Sequence, residues 1–395
     1  MKWRMRYLTM FVSALLLVAL SFVLWTSNQK KILRIEVYAG SSWDVPNSRE
    51  NRVLDNIIRQ FEKSYPNVKV VYESGIPKKD YDNWLAEKIL KGEQADVFMV
   101  PENDFSMLAS SGAFKSLDSL ISKEEAAAYY PVAYQAGQYQ GHSYALPIES
   151  NPVMMCVNKD LLEKEGISIP NSNWTLEDLY AICQKVTKDT DGDSLIDQYG
   201  ITDYTWKQAL VAYNGHLRNQ NGVNVDSVEM HQALSFISKL DSLNQRYKVT
   251  SNDFDEGKVA FYPMSLAQYR TYKPYPYHVA KYSRFSWTCI PMPAAKAGIP
   301  ATQVKTSLFA MSSKTKQDKL AWEFMKLLCQ NHKNQQELFA KSQGTSVLTS
   351  VVKSSQTKKI LQADDFGLDS LTSQRLDHMM KHSVLDISRD LDYHS

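Results

Sequence analysis

The chain has 395 residues, which is more than one ordinary hydrophobic core holds and predicts about two domains. Hydrophobic residues make up 44% and charged residues 22%, so the composition is globular and excludes a disordered chain. The formal net charge of +2 gives no support for a nucleic-acid-binding surface.

Residues 1–30 have the pattern of a membrane-targeting segment. Lys2, Arg4 and Arg6 precede an uncharged apolar run, residues 7–25. At about 1.5 Å per residue, this run is long enough to cross a bilayer core of roughly 30 Å. The positive charge before it predicts a cytoplasmic N-terminus, with the folded part outside. We expect a single-pass anchor; the small-x-small sequence at residues 19–21 leaves a cleaved signal peptide and a secreted protein as the alternative.

Strand and helix patterns alternate after the apolar run. Residues 32–39, 68–72 and 95–100 have the composition and spacing of strands. Apolar residues over 54–61 fall on one helical face, and residues 81–90 form a second helical pattern. This strand–helix–strand order predicts an α/β fold in which helices pack on a parallel sheet.

The stretch 141–159 allows two interpretations. It contains two apolar, strand-like pieces joined by a polar, proline-containing link at residues 149–152. The pieces could form one bent hairpin, or the stretch could cross between two lobes. The alternating elements on both sides favour the crossing, which places Glu149 at the mouth of a cleft between the lobes.

The alternation resumes in the second half of the chain. Thr175, with Asp178 three residues later, is predicted to cap a helix whose apolar stripe continues to Val186. Further helices are predicted at 227–243 and 321–328, further strands at 259–262, 289–292 and 307–311, and a polar, helical tail from residue 350.

Four cysteines, Cys156, Cys183, Cys289 and Cys329, are far apart in the sequence. No pair has the spacing of a zinc or redox motif. Each lies in an apolar or helical pattern, so we expect buried thiols, and a cross-link among them remains the alternative.

Six short motifs occur in order along the chain. They are FEKSYP with VKV at 61–70, ADVF at 95–98, LASSGAFKSLD at 108–118, YALP with VNKDL at 144–161, EGKVAF at 256–261, and AWEF at 321–324. Together they resemble extracellular solute-binding proteins, the receptor subunits of ABC importers, in the carbohydrate-binding branch of the maltose-binding type. The resemblance covers nearly all of residues 33–345.

The resemblance implies the type II fold of periplasmic binding proteins, with two α/β lobes, a hinge and a ligand cleft between the lobes. Crossings between the lobes are expected near Glu149, 303–307 and 342–347. The implied organisation is residues 1–30 as anchor or signal, 31–148 with 305–343 as lobe 1, and 149–304 with 344–395 as lobe 2.

The resemblance also implies a function without catalysis. The protein would capture a sugar or oligosaccharide and, as a monomer, deliver it to two permease subunits that work with a cytoplasmic ATPase. The chain differs from the family pattern at three places. No lipid-anchor cysteine follows the apolar run, residues 264–269 lack the usual tryptophan, and Lys305-Thr306 replaces a Gly-Gly pair.

Candidate ligand contacts follow from the chemistry of sugars. Aromatic rings stack on sugar C–H faces, and carboxylates and amides bind hydroxyl groups. Such groups converge at the carboxyl ends of parallel strands. The candidates are Trp43, Asp44, Glu102, Asn103, Glu149, Trp206, Tyr262 and Tyr269. The alternative is a place in the core for each aromatic residue and a solvated loop for each carboxylate.

One acidic loop has the spacing of calcium ligands. Its carboxylates are Asp189, Asp191, Asp193 and Asp197. Ser194 and Gly200, however, stand where calcium-binding loops carry a glycine and a bidentate glutamate. We therefore expect either a structural calcium ion or a loop held by Asx turns, and no other cofactor.

Other functions remain as rivals. The sequence contains no G-x-S-x-G, H-E-x-x-H or P-loop motif. A secreted carbohydrate-active enzyme stays open, because two catalytic carboxylates need to meet only in space. The same fold could also serve a receptor for another solute, such as ferric iron held by tyrosines, or a sensory partner of a membrane kinase.

Overall fold

A computed structural model of the protein describes residues 30–43, 50–101, 103–219, 222–245, 247–272, 285–364 and 370–388. The predicted anchor, residues 7–25, lies outside these ranges. Over the ranges described, no helix combines the length and apolar character needed to cross a membrane.

The structure contains strands and helices in alternation. The strands are β1 Lys31–Glu36, β2 Val68–Glu73, β3 Val97–Val100, β4 Gln138–Tyr139, β5 His142–Ser143, β6 Ala145–Asn158, β7 Tyr199–Ile201, β8 Arg218–Asn219, β9 Gly222–Val223, β10 Val259–Ser265, β11 Trp287–Ile290, β12 Thr302–Met311, β13 Thr345–Ser346 and β14 Ser383–Leu385.

The helices are α1 Glu50–Ser64, α2 Lys78–Lys91, α3 Phe105–Ser110, α4 Lys123–Ala127, α5 Pro131–Ala136, α6 Lys159–Lys164, α7 Leu176–Val186, α8 Trp206–Ala212, α9 Val228–Asp241, α10 Ser251–Asp255, α11 Leu266–Tyr272, α12 Asp318–Cys329, α13 His332–Lys341, α14 Thr349–Val352, α15 Ser355–Asp364 and α16 Ser373–Lys381, with a short 3₁₀ turn at Ser242–Asn244. The predicted cap of α7 is present, because Thr175 and Asp178 form a capping box.

The mixed α/β fold predicted from the sequence is confirmed. Strands β1, β2 and β3 are parallel, as the strand–helix alternation predicted. β12 continues this sheet in the antiparallel direction, and β6 follows it. Beyond β6 the sheet order continues through β10 to β7.

Strand β6 is continuous over 14 residues, which excludes the hairpin and corrects the division into two pieces. The polar link lies inside the strand because both of its edges are paired. β12 lies on one edge of this segment, and β13 and then β10 lie on the other. The ladder between β6 and β12 shifts register between Ser307, which pairs with Glu149, and Leu308, which pairs with Pro147. Such an irregularity in a strand tolerates a proline, which has no N–H to donate.

The three expected crossings meet at one point. Glu149 and Ser150 of β6 pair with Ser307 and Thr306 of β12. The same two residues pair on their other side with β13. The hinge segments, defined as residues 149–152, 302–307 and 342–346, therefore form a small sheet at which both halves of the molecule join.

Three hydrophobic cores surround these segments. The first is built on β1–β3 and α1 and includes a T-shaped contact between Phe61 and Phe324, with ring centroids 5.3 Å apart. The second and third contain the later strands and helices. Tyr129 and Tyr130 pack with the third core, although the predicted lobe 1 contains them. The lobe boundaries themselves stay a prediction.

The tail differs from the helical segment predicted from residue 350. It contains α14, α15 and α16, and they are followed by β14, which lies parallel to Thr302–Val304 of β12. On the edge of β12 that faces β3, β3 pairs only with Leu308–Met311, so residues 302–307 of that edge can pair with another strand. An uncovered edge presents unpaired N–H and C=O groups, which explains why a short polar tail forms a strand there.

Candidate functional site

The strands converge on the hinge segments from both sides. β1 and β3 run in the same direction as β6 and end near Glu149, since Val100 pairs with Leu308 just beyond the hinge. β10 and β7 run opposite to β6 and return towards the hinge, where Ser265 pairs with Val153. The carboxyl ends of these four strands therefore lie near the hinge on both of its sides. Ligands of open α/β sheets bind at such carboxyl ends.

Glu149 lies in this hinge, but its side chain is buried, with 4% of its surface exposed. Its Oε1 accepts hydrogen bonds from the Ser342 hydroxyl and from the Gly344 N–H, the latter at 2.8 Å. Both donors belong to the third hinge segment. Glu149 thus connects the first crossing to the third.

Gly344 is required by this close approach. A Cβ atom at residue 344 would lie 2.5 Å from Glu149 Oε1 and 2.6 Å from its Cδ, well inside van der Waals contact. Any side chain at this position would displace the Glu149 carboxyl group from its donors.

Burial raises the pKa of Glu149 to about 7. The hydrogen bonds from Ser342 and Gly344 oppose this shift, because they stabilise the charged form. The Trp43 indole N–H and the Arg270 charge also lower the pKa. The indole nitrogen lies beside the carboxyl group without making a hydrogen bond of standard geometry.

Arg270 of α11 extends this network into the second half of the molecule. Its Nη1 donates to the carbonyl oxygens of Phe339 at 2.8 Å and Gly344 at 3.0 Å. Its Nε donates to Asp364 Oδ2 at 3.0 Å, and the guanidinium lies 4.6 Å from the centroid of the Phe339 ring. Gly344 therefore binds Glu149 through its N–H and Arg270 through its C=O.

A narrow apolar cavity of about 70 Å³ lies next to Glu149. Val37, Ile57 and Leu338 are among its lining residues, and Ser42 borders it on the side of the β1 loop. Few polar groups reach it, so it suits an apolar group or a few water molecules better than a sugar ring.

The candidates from the first half of the chain are only partly described. Trp43 is buried beside Glu149, with 7% of its surface exposed, and Asn103 is exposed directly after β3. Asp44 and Glu102 lie outside the described residues. The structure therefore brings Trp43 and Glu149 together. Asn103 lies just after β3, the strand that pairs with β1.

The candidates from the second half have different environments. Trp206 begins α8 and is half-buried, packed against the second core. Tyr262 of β10 is half-buried, with its ring 5.3 Å from that of Phe254. Burial, helped by the charge of Asp203, raises the pKa of Tyr262 to about 12. Tyr269 has 1% of its surface exposed and packs on Trp287, so in this arrangement it is a core residue.

Several polar residues of the site were missed by the sequence analysis. Ser342 and Gly344 donate to Glu149, and their only sequence signal was the expected crossing at 342–347. Arg270, which binds the Gly344 carbonyl, had no such signal. Asp104 and Asp203 follow β3 and β7, and burial raises the pKa of each carboxyl group. Both are acidic groups at carboxyl ends of strands, so the rule that selected Asn103 would also have selected them.

The acidic loop places three of its four predicted ligands together. Ligand atoms of Asp189, Asp191 and Asp193 all lie within 4.8 Å of one another. Asp197 instead accepts from the Thr190 N–H at 2.8 Å and from its hydroxyl at 2.6 Å. Asp189 accepts from the backbone N–H groups of Gly192 and Ser194, as an Asx-turn loop does. A calcium ion here stays a prediction.

Calcium binding has a direct test in the melting temperature. If this loop holds the ion, added Ca²⁺ raises the melting temperature by linkage, and Asp193→Asn removes the effect because it deletes one ligand charge. The control is Asp226→Asn, an exposed carboxylate outside the loop. A melting temperature that does not respond to Ca²⁺ would contradict calcium binding and leave only the Asx-turn interpretation.

Comparison with known proteins identifies a matching family and several relatives. A family model described as a bacterial extracellular solute-binding protein matches residues 56–364. A maltotriose-binding protein of Pyrococcus abyssi is 25% identical over 138 residues, which cover 35% of this chain and 30% of that protein. A putative binding protein of Brucella abortus is 24% identical over 292 residues, which cover 70% of this chain and 68% of that protein. The chain thus aligns with under a third of the archaeal relative's length.

Solved structures share the fold at low sequence identity. The sugar-binding protein MalE from Xanthomonas citri matches with a TM-score of 0.71 and 16% identity, covering 90% of this chain and 86% of its own. An ABC substrate-binding protein from Listeria monocytogenes in complex with cycloalternan matches with a TM-score of 0.61 and 20% identity, covering 90% and 88%. At these identities the likeness concerns the fold.

Proposed function

Because the chain belongs to the family of bacterial extracellular solute-binding proteins, we propose that it captures a sugar or oligosaccharide between its two halves. The bound solute would then pass to two permease subunits of an ABC importer. The family match over residues 56–364 is the observation that carries this proposal. The function requires binding and a hinge motion but no catalytic step.

Two observations support a sugar as the solute. The relatives include a maltotriose-binding protein and proteins solved with cycloalternan and with maltotetraose. In this chain, half-buried aromatic rings lie within or after strands that converge on the hinge from both sides, and polar groups follow such strands. Trp206 and Tyr262 offer ring faces, and Asn103, Asp104 and Asp203 offer hydrogen-bonding groups.

Glu149 has a positioning role in this proposal. Its carboxyl group is occupied by donors of the third hinge segment, so it holds the crossings together beneath the ligand. A solute that touches both halves would favour the closed arrangement, since it gains contacts that the open one lacks.

The proposed location is outside the cytoplasm, in keeping with a family of extracellular proteins. The apolar run at residues 7–25 would hold the protein at the membrane from which it serves the permease.

A thermal-shift screen with mono- and oligosaccharides tests the sugar assignment. A sugar present at about 100 times its dissociation constant adds about 2.7 kcal/mol to the free energy of unfolding, so the melting temperature rises measurably. A rise with ferric iron or a peptide but with no sugar would contradict the assignment. Release of cleaved sugar would contradict a purely binding function.

Two tryptophans provide a matched pair of variants. Trp206→Ala removes a ring from the proposed cleft, and we expect binding of the identified sugar to weaken roughly tenfold, which is about 1.4 kcal/mol. Trp84→Ala removes a partly buried ring of α2 that packs on Tyr81, outside the loops facing the hinge. Isothermal titration should show unchanged affinity for Trp84→Ala. Equal affinity in both variants would remove Trp206 from the site.

A further inference from the structure

Two cysteines far apart in the sequence are in contact in the second half of the molecule. Cys156 of β6 and Cys289 of β11 are directly opposite each other in an antiparallel ladder. Their Sγ atoms are 3.6 Å apart, and both side chains are fully buried in the third core. In the structure both are thiols.

The ladder places this pair in the geometry that a disulfide needs. In an antiparallel sheet the N–H and C=O of one residue point to the same neighbouring strand. The Cys289 N–H donates to the Ser370 carbonyl at 2.8 Å, so it points away from β6. Cys156 and Cys289 are therefore a non-hydrogen-bonded pair, for which Cα atoms are about 4.5 Å apart and side chains lie closest. That separation is within the range of roughly 4.4–6.8 Å found for disulfides.

The other two cysteines have no comparable arrangement. Cys183 belongs to the second core and Cys329 to the first, so neither shares a core with the contacting pair. A selective bond between residues 156 and 289 is thus the expected product of oxidation.

We propose that Cys156 and Cys289 form a cross-strand disulfide that fastens edge strand β11 to β6, seven residues after Glu149. A small disulfide compound or a disulfide oxidoreductase supplies the oxidant. One cysteine thiolate attacks a sulfur of the oxidant and releases one thiol, and the second then attacks the mixed disulfide and releases the other. Two protein thiols lose two electrons and two protons, and the oxidant disulfide becomes two thiols.

The location of the protein determines the source of oxidant, and the burial of the two sulfurs determines the stage of folding at which the disulfide forms. The proposal takes its source of oxidant from the proposed extracytoplasmic location, since disulfides persist in oxidising compartments. Both sulfurs are inaccessible in the folded protein, so the bond forms while the chain folds, before β11 is covered. Once formed, it is protected from reductants by the same burial.

Refolding of the full chain tests the pairing. Reduced, unfolded protein is refolded in a glutathione redox buffer or with reductant alone, then alkylated in denaturant and mapped by mass spectrometry. We expect the glutathione sample to weigh two hydrogen atoms less before alkylation, to contain a linked peptide pair from Cys156 and Cys289, and to melt at a higher temperature. Four alkylated cysteines, or a link that includes Cys183 or Cys329, would overturn the proposal.

Variants and native material complete the test. The double variant Cys183→Ala/Cys329→Ala should form the same link, whereas Cys289→Ala should lose it; if Cys289→Ala does not fold, the wild-type peptide map decides. Protein isolated from the cell envelope with all four thiols intact would contradict oxidation in the cell. None of these readouts uses a sugar, so their failure is distinguishable from failure of the sugar proposal.

Discussion

Replacing Arg270 with methionine is expected to lower the free energy of unfolding by about 3 kcal/mol. The guanidinium is 5% exposed and binds Asp364, and it also donates to the carbonyl oxygens of Phe339 and Gly344. Methionine fills much of the space but removes the hydrogen bonds that Arg270 donates to two buried carbonyl groups and to the Asp364 carboxylate. Urea unfolding with linear extrapolation measures the loss.

Two further substitutions show whether the effect comes from this network. Arg59→Met removes an exposed arginine of α1 and should change the free energy of unfolding by no more than about 0.5 kcal/mol. Arg270→Lys should lie between wild type and Arg270→Met, because it retains the charge but not the planar fork that serves several acceptors. Equal losses for Arg270→Met and Arg59→Met would exclude the proposed role of Arg270.

The second large effect is the pH dependence that Glu149 imposes on stability. The folded state raises its pKa from 4.5 to about 7, so it favours the protonated carboxyl group. Below pH 4.5 this stabilisation is complete, and it is lost as the pH rises through about 7, because the folded state then has to bury a charge. The difference in pKa corresponds to about 3 kcal/mol.

Glu149→Gln isolates this contribution, since the amide keeps the shape but does not titrate. We expect wild type to lose stability relative to the variant between about pH 4.5 and 7, with both measured by urea unfolding. Other titrating groups are common to both proteins and cancel in the difference. Parallel stability curves over this range would show that Glu149 does not titrate differently on folding. Unchanged sugar affinity in the variant would confirm a positioning role.

Short-range patterns in the sequence predicted much of the fold. The alternation of apolar residues predicted β1–β3 with α1 and α2, because a strand or helix face is defined within a few residues. Thr175 and Asp178 predicted the start of α7 for the same reason. The six ordered motifs predicted the family, and the family model over residues 56–364 confirms it.

The tertiary structure decided which groups Glu149 contacts. The sequence placed it at a crossing and suggested a ligand contact. Its donors Ser342 and Gly344, however, are 193 and 195 residues further along the chain, and no local pattern encodes such a pairing. Tyr269 is similar, since its apolar ring suits a cleft or a core equally well and only the packing against Trp287 distinguishes them.

The sequence by itself thus determined the family and the alternation of the longer strands and helices, because these depend on neighbours in the chain. The tertiary structure alone decided that β6 is one unbroken strand, that the tail includes a strand, β14, beside β12, and that Cys156 meets Cys289 across 133 residues. Each of these depends on which strand edges and side chains meet after folding, and the energy of such contacts is absent from any short stretch of sequence.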